Sequence, residues 1–180
     1  MAISRIWRGI PLLLGLVLII GCAFEGGDAK AVKGTIARYN ELLSSGYRTF
    51  NMNPLQEVTT SEVATKAYHH MAALGEGKLR MESTVKQVNF LSIRFTGKEE
   101  AAVETSETWD FTHVDITTGK TYAQEQDFIY DMAYTLKKSG DRWIIERVNT
   151  IKGKSTNSIV PWPETNRQGP PRPAAGEGHR

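Results

Sequence analysis

Two residues of this chain have side chains suited to acid–base chemistry and positions that predict they face the interior. Glu107 lies on the core-facing side of a predicted strand, and His70 lies in the middle of the apolar stripe of a predicted helix. A carboxylate in an apolar pocket beside a histidine can serve as a general base, because burial raises its pKa toward working pH. The alternative is a structural ion pair of Glu107 with Arg147. The residues predicted to line such a pocket are Tyr39, His70, Trp109, Gln126, Tyr130, Trp143 and Arg147.

Metal and cofactor chemistry is not predicted. His69 and His70 are adjacent, so on a helix their side chains point about 100° apart and cannot hold one metal ion together. Cys22 is the only cysteine, which excludes an internal disulfide and a cysteine-rich zinc site. No Gly-x-Ser-x-Gly nucleophile motif occurs. We therefore expect no metal and no cofactor, and we favour a binding protein over an enzyme.

The formal charge of +2 comes from the first 21 residues. The chain has 22 basic and 20 acidic side chains, and Arg5 and Arg8 are the only charged residues up to Gly21. Without these two arginines the rest of the chain has 20 basic and 20 acidic side chains, a net charge of zero. A neutral body gives no electrostatic reason to expect nucleic acid as a partner.

The N-terminal segment has a basic start followed by an apolar run over residues 10–20, which is the pattern of a secretory signal. That run is too short for a comfortable membrane-spanning helix, which needs about 20 apolar residues. The sequence Ile19-Ile20-Gly21-Cys22 resembles the lipobox of bacterial lipoproteins. The resemblance implies removal of residues 1–21 as a signal peptide and attachment of fatty acyl chains such as palmitate to Cys22. It also implies that Ala23 permits delivery to an outer membrane, in a cell that has one.

Three alternatives remain open for this segment. Ordinary signal peptidase could cleave at the small residues around Cys22 and leave a soluble secreted protein. The apolar run could stay in place as an uncleaved anchor. Cys22 could also be a buried apolar residue with no lipid attached.

The rest of the chain divides by composition. Residues 22–28 contain two glycines and predict a flexible tether, and residues 29–152 predict one folded domain. Residues 153–180 contain five of the seven prolines, which predicts a disordered tail because so little apolar surface is available to bury. Docking of residues 160–163 back onto the domain is the less favoured alternative.

The domain is predicted to consist of two helices followed by four strands. Apolar residues at spacings of three and four indicate helices over 28–45 and 60–74. Alternation of apolar and polar residues from Leu79 onward indicates four antiparallel strands, with the last two forming a long hairpin around the polar turn 137–141. The aromatic face of these strands needs a cover, and the two amphipathic helices supply it. The predicted class is α+β, with two N-terminal helices packed on a curved four-stranded antiparallel sheet.

This layout, which ends in Lys138-Ser139-Gly140-Asp141-Arg142-Trp143-Ile144-Ile145, resembles the NTF2-like (SnoaL-like, cystatin-like) domains. The resemblance implies that the helices lie in the concavity of a cone-shaped sheet and leave a pocket. Members of that family include isomerases and dehydratases as well as non-catalytic binding and assembly domains, so the fold does not settle the activity.

Three functions follow as hypotheses. The first is a lipid-anchored, non-catalytic domain in the cell envelope that binds a small apolar ligand or a protein partner. The second is a small pocket enzyme of the isomerase or dehydratase type, with Glu107 or His70 as the base. The third is a subunit of an envelope secretion or assembly complex.

Overall fold

A computed structural model of the chain describes the backbone of residues 20–163 and the side chains of residues 26–163. The elements are α1 (Ile20–Thr49), a 3₁₀ helix (Asn53–Glu57), α2 (Ser61–Glu76), β1 (Leu79–Thr96), β2 (Glu100–Asp115), β3 (Thr121–Ser139), β4 (Arg142–Lys154) and β5 (Asn157–Val160). Strands β1 to β4 pair antiparallel in chain order, and β5 pairs antiparallel with β3. The predicted α+β class is confirmed, with two helices packed on an open antiparallel sheet and a fifth short strand added.

Helix α1 is longer than predicted. Its backbone is helical from Ile20, so residues 22–28, for which a tether is predicted, form its first turns. Asp28 accounts for part of this order, because its carboxylate accepts hydrogen bonds from Lys138 Nζ at 2.9 Å and from Trp143 Nε1 at 3.2 Å. These two residues flank the turn between β3 and β4. The start of α1 is thus fixed to the sheet by contacts that are distant in sequence.

We expect Asp28→Asn to lower the free energy of unfolding by about 1 kcal/mol at pH 7, because it removes the charge from a partly buried hydrogen-bonded pair. The hydrogen bond from Lys138 lowers the pKa of Asp28. A lowered pKa contributes stability above about pH 4 that is lost as the pH falls through the folded-state value. The difference between the two proteins should therefore shrink below pH 4 in acid denaturation followed by circular dichroism. A difference that stays constant down to pH 2 would contradict this.

Helix α2 starts one residue later than its predicted range of 60–74 and ends two residues beyond it. The Thr60 side chain accepts a hydrogen bond from the Val63 backbone N–H, as expected of an N-cap. The residues just before the helix pair with β4, since Ile145 N donates to Val58 O at 2.8 Å and Thr60 N donates to Ile145 O at 3.0 Å. These bonds fix where α2 begins relative to the sheet.

A row of bulges crosses three strands. Lys86 lies at a register shift in β1, and the β2–β3 pairing skips from Trp109↔Phe128 to Phe111↔Glu125, which leaves an extra residue in β3. Asp127 takes a left-handed conformation there, with a φ of 54°. Its N–H donates to the Asp110 carboxylate at 2.9 Å, and its own carboxylate accepts from Lys86 Nζ at 2.6 Å. The bulge is thus held by charged side chains, and it reverses which residues of β3 face inward.

The core lies between the helices and one face of the sheet. Trp143 is 3% exposed and packs against Phe95, with ring centroids 5.8 Å apart. A second register shift in β1, between Phe90 and Ser92, turns Leu91 outward, where it is 62% exposed. The fully buried apolar residues of this core include Val32, Ile36, Leu55, Leu136 and Ile145.

Residues 153–163 of the predicted tail extend β4, add the short strand β5 and place Trp162 on the domain. Strand β4 continues to Lys154, and β5 pairs with residues 124–126 of β3, the part of that edge that β4 leaves free. The Trp162 ring packs on His113 and Tyr122, at centroid distances of 4.6 and 5.5 Å. Strand pairing and aromatic contact together hold a segment whose composition alone predicts disorder. Residues 164–180 lie outside the described residues.

The predicted signal peptide, residues 1–21, falls almost wholly outside the described residues. Between residues 20 and 163 neither helix combines the length and the hydropathy that a membrane crossing requires.

Candidate functional site

A cavity of about 420 Å³ lies between helices α1 and α2 and the inner face of the sheet. Small-molecule sites in proteins commonly have volumes of 300–1,000 Å³ and mostly apolar walls. Among the described residues, those lining the cavity include no lysine or arginine. They are Tyr39, Asn40, Leu43, Tyr47, His70, Met81, Ser83, Glu107, Trp109, Phe111, His113, Ala123, Gln124, Glu125, Phe128, Tyr130, Met132, Tyr134, Thr150, Val160 and Trp162.

Four aromatic side chains of β2 and β3 form one wall of this cavity. The rings of Trp109 and Phe111 are stacked, with centroids 5.9 Å apart. Phe111 makes edge contacts of 5.9 Å with both Phe128 and Tyr130, which are themselves 4.5 Å apart. Edge-to-face and stacked pairs at these distances are favourable, so the wall is held in place by its own contacts.

Gly153 on β4 makes room for this wall. A Cβ atom at this position would lie 3.1 Å from the Phe128 ring and 3.3 Å from the Tyr130 ring. The two rings therefore lie directly over a residue that has no side chain.

We expect Gly153→Ala to push these rings into the cavity, at a stability cost of about 1 kcal/mol, and to weaken the binding of any apolar probe there. The matched control is Gly34→Ala, since Gly34 is exposed on α1 and no atom lies within 4 Å of the place that a methyl group would take. That control should be neutral or stabilising by up to about 1 kcal/mol. Equal stability and equal probe affinity for the two variants, by urea unfolding and calorimetric titration, would contradict the prediction.

Glu107 lies at the base of the cavity and is 1% exposed. Its Oε1 accepts hydrogen bonds from Thr105 Oγ1 at 2.8 Å and from the Tyr134 hydroxyl at 2.7 Å. Its Oε2 accepts from Trp109 Nε1 at 2.9 Å and from Asn40 Nδ2 at 3.2 Å. Each carboxylate oxygen therefore has two donors, supplied by α1, β2 and β3. The predicted ion pair with Arg147 does not form.

The groups around Glu107 are held in their protonated forms. The pKa of the Tyr134 hydroxyl is raised well above its ordinary value. Burial is the largest cause, and the nearby Glu107 carboxylate is the second. Burial also raises the pKa of Tyr39. Both hydroxyls remain uncharged at neutral pH, where they can donate hydrogen bonds. A carboxylate with four donors has few lone pairs left to accept a substrate proton.

His70 on α2 and His113 on β2 both line the cavity. The ring of His70 is partly buried although the residue as a whole is exposed, and its Nδ1 is 2.6 Å from the Tyr47 hydroxyl. Burial lowers the pKa of His70, and burial followed by repulsion from His70 lowers the pKa of His113. Both rings are therefore neutral at pH 7. His70 has no hydrogen bond to Glu107 within the described residues, so the two predicted acid–base residues border one cavity without forming a pair.

The structure brings five of the predicted residues to the cavity and leaves three out. Those at its wall are Tyr39, His70, Glu107, Trp109 and Tyr130. Trp143 instead fills the core at the other end of the sheet, and Gln126 lies at the bulge beside Asp127. Arg147 is exposed, because a register shift between Leu136↔Ile145 and Thr135↔Arg147 reverses its side of the strand. The bulge at Asp127 and the register shift after Ile145 each reverse which side of the sheet the following residues face. Simple alternation of apolar and polar residues in the sequence does not reveal such a reversal.

Sequence reasoning missed several residues of the site. Asn40 follows Tyr39 on α1 and faces the sheet, although asparagine is seldom a core residue. Tyr134 has the inward parity predicted for β3 but was not among the candidate residues. Trp162 comes from the predicted tail. Tyr134 had a sequence signal in its parity and Trp162 in the docking alternative for residues 160–163, whereas the place of Asn40 depends on contacts with distant strands. As for metals, no group of three or more His, Cys, Asp or Glu side chains suited to an ion occurs within the described part.

These features define a class of protein: an α+β domain in which two helices cover an open antiparallel sheet and leave a half-open aromatic cavity over a buried carboxylate. No protein-family model matches the chain, and no curated protein sequence matches it. The chain is similar to a solved structure, the crystal structure of the intermembrane space region of chloroplast protein ARC6. The TM-score is 0.60 and the identity 16%, over 68% of this chain and 95% of that one. At this identity the similarity concerns the fold alone.

Proposed function

We propose that this protein is a non-catalytic binding protein of the cell envelope, whose domain holds a small apolar ligand in the cavity between its helices and sheet. The observation that carries this proposal is the cavity of about 420 Å³ with its wall of Trp109, Phe111, Phe128 and Tyr130. Aromatic side chains of this size bind apolar ligands by removing large areas of apolar surface from water. The NTF2-like resemblance, in which a cone-shaped sheet holds a pocket, is part of the proposal.

The saturation of Glu107 favours binding over catalysis. A general base needs a free lone pair within hydrogen-bond reach of the substrate proton, and both Glu107 oxygens already accept two hydrogen bonds. The alternative, an isomerase or dehydratase, would have to rely on His70 or on loss of one of these bonds. It predicts that Glu107→Gln abolishes turnover of a substrate at unchanged affinity. The binding proposal predicts loss of stability instead.

The proposal is tested by extracting the full chain from membranes of its own host and analysing the bound small molecules by mass spectrometry. We expect one apolar compound to copurify with the native protein and to be depleted in the Gly153→Ala variant, whose cavity is narrowed. The Gly34→Ala variant, which is altered far from the cavity, should retain it. Equal recovery from all three, or none from the native protein together with no affinity for apolar probes, would refute ligand binding.

The anchor belongs to the same proposal. The resemblance of residues 19–22 to a lipobox supports acylation of Cys22 and retention at a membrane, because each buried CH₂ adds about 0.8 kcal/mol. Helix α1 is continuous past this position, and Val32 is the first fully buried residue among those of α1 whose side chains the structure describes. At 1.5 Å per residue, the start of the core would lie about 15 Å along the helix from the acylated residue. The cavity would then be held close to the lipid surface.

Replacing Cys22 by Ser is expected to move nearly all of the protein from the membrane fraction to the soluble fraction, because the acylated thiol is lost. Immunoblotting of fractionated cells and metabolic labelling with palmitate measure the two effects. Ser45→Ala, which alters a small polar residue of the same helix, should leave both unchanged. Membrane retention of the Cys22→Ser protein would show that the anchor assignment is wrong.

A second candidate is a subunit of an envelope assembly complex. It is favoured by the similarity to the ARC6 domain, which belongs to an intermembrane space region. Affinity purification of the full chain after mild crosslinking separates the two candidates. A defined envelope protein recovered in equal amounts from native and Gly153→Ala cells would favour assembly, whereas recovery that depends on the open cavity would favour ligand binding.

A further inference from the structure

We propose that the ligand of this cavity is an uncharged molecule with an apolar ring or chain and a hydrogen-bond donor, such as a hydroxyl group, that binds Asn40 at the base. This inference rests on the proposed function and adds the chemical class of the ligand. It begins from two polar groups of α1 that line the cavity without a hydrogen-bonding partner among the residues that the structure describes.

Asn40 is the first of these groups. It is fully buried, and its Nδ2 donates to Glu107 Oε2 at 3.2 Å. Its Oδ1 accepts no hydrogen bond from any residue that the structure describes. The orientation of the amide follows from chemistry, because Oε2 already accepts from Trp109 and a carbonyl oxygen facing it would be repelled. Oδ1 is therefore an acceptor in need of a donor, and Asn40 borders the cavity.

Tyr39 is the second. It is 7% exposed and lines the same cavity, and within residues 26–163 its hydroxyl makes no hydrogen bond. A neutral hydroxyl can both donate and accept, so either role is open to it toward a ligand. Buried polar atoms are normally paired, so the unpaired Asn40 Oδ1 at the base of an apolar cavity indicates where the polar end of a ligand binds, with the Tyr39 hydroxyl beside it.

The charges that line the cavity determine which polar group of a ligand can bind there. Glu107 is bonded directly to Asn40, and Glu125 also lines the cavity, while no lysine or arginine of the described chain does so. An anionic group such as a fatty acid carboxylate would lose its hydration and face the Glu107 carboxylate without a compensating charge. A ligand lacking a donor would leave Asn40 Oδ1 unpaired. A hydroxyl group avoids both costs.

Three matched probes test this inference on the full chain in phospholipid nanodiscs, with empty nanodiscs as the reference. They are 2-naphthol, which has a donor, 2-methoxynaphthalene, which has none, and 2-naphthoate, which is an anion. We expect calorimetric titration to show that 2-naphthol binds about tenfold more tightly than 2-methoxynaphthalene, the effect of one net hydrogen bond. We expect 2-naphthoate to bind more weakly than either.

Two variants test whether Asn40 causes the preference for 2-naphthol over 2-methoxynaphthalene. Asn40→Leu should bind 2-naphthol and 2-methoxynaphthalene equally, because Oδ1 is gone. Ser45→Ala should keep the tenfold preference, because Ser45 is on the same helix as Asn40 but does not line the cavity.

The outcomes separate the inference from the proposed function. Equal binding of 2-naphthol and 2-methoxynaphthalene to the native chain, or tightest binding of 2-naphthoate, would overturn the inference and leave the cavity a binding site. A preference that survives in Asn40→Leu would overturn the role of Asn40. Failure of all three probes to bind would refute both the inference and the proposed function. The three-probe comparison needs only the native chain, so it stands even where Asn40→Leu does not fold.

Discussion

Replacing Trp143 by alanine is expected to lower the free energy of unfolding by about 3–5 kcal/mol, as large-to-small changes of a buried aromatic residue do. Trp143 is 3% exposed, and its ring contacts Phe95 in the core. Its Nε1 also donates to Asp28, and Lys138 Nζ lies 5.6 Å from its ring centroid. The substitution therefore leaves a cavity and also releases the contacts that hold the first turns of α1 on the sheet.

Trp162→Ala is the matched control, since Trp162 is 52% exposed and lies on the last described segment. It should cost less than about 1 kcal/mol, because little surface is buried. Urea unfolding followed by far-ultraviolet circular dichroism measures both. A near-neutral Trp143→Ala, or equal losses for the two tryptophans, would mean that Trp143 does not hold α1 against the hairpin.

Replacing Glu107 by alanine is expected to cost about 3–5 kcal/mol, because it leaves buried donors unpaired at the base of the cavity. Thr105 and Tyr134 can rotate their hydroxyl groups, but Trp109 Nε1 and Asn40 Nδ2 are aimed by packing. Glu107→Gln should cost less, about 1–3 kcal/mol, since one oxygen still accepts two bonds while the amide NH₂ faces two donors. The expected order of stability is native, then Gln, then Ala.

Glu104→Gln is the control for this series. Glu104 lies three residues away on the same strand, on the outer face, where its side chain is 40% exposed and paired with Arg94 at 3.0 Å. An exposed pair of this kind contributes little, so the change should stay within about 0.5 kcal/mol. If Glu107→Ala were as mild as Glu104→Gln while binding or turnover was lost, Glu107 would act on a ligand and not as a structural acceptor.

These two predictions concern opposite ends of one inner face. At the Trp143 end the space between the helices and the sheet is filled, so removing a side chain leaves a cavity that lowers the free energy of unfolding. At the Glu107 end the space is open, and the aromatic wall is held by its own contacts and by the absence of a side chain at Gly153. The inner face is thus filled at the Trp143 end and open at the Glu107 end.

The sequence by itself determined the α+β class, the order of helices and strands, and the inward side of β2. These features arise from local periodicity, which depends only on neighbouring residues. Apolar spacing of three and four gave α1 and α2, and alternation from Ala101 to His113 placed Glu107, Trp109 and Phe111 on one face. Five of the eight candidate site residues border the cavity for that reason.

Only the tertiary structure decided the rest. The bulge at Asp127 and the register shift after Ile145 reverse parity, and they depend on side chains from neighbouring strands, such as Lys86 and Asp110. The partners of Glu107, the pairing of β5 with β3 and the packing of Trp162 join residues far apart in the chain. Composition near the C-terminus predicted disorder because composition carries no information about the free edge of β3, with which β5 pairs. Contacts between distant residues therefore set the shape of the cavity, and local periodicity supplied only the faces from which it is built.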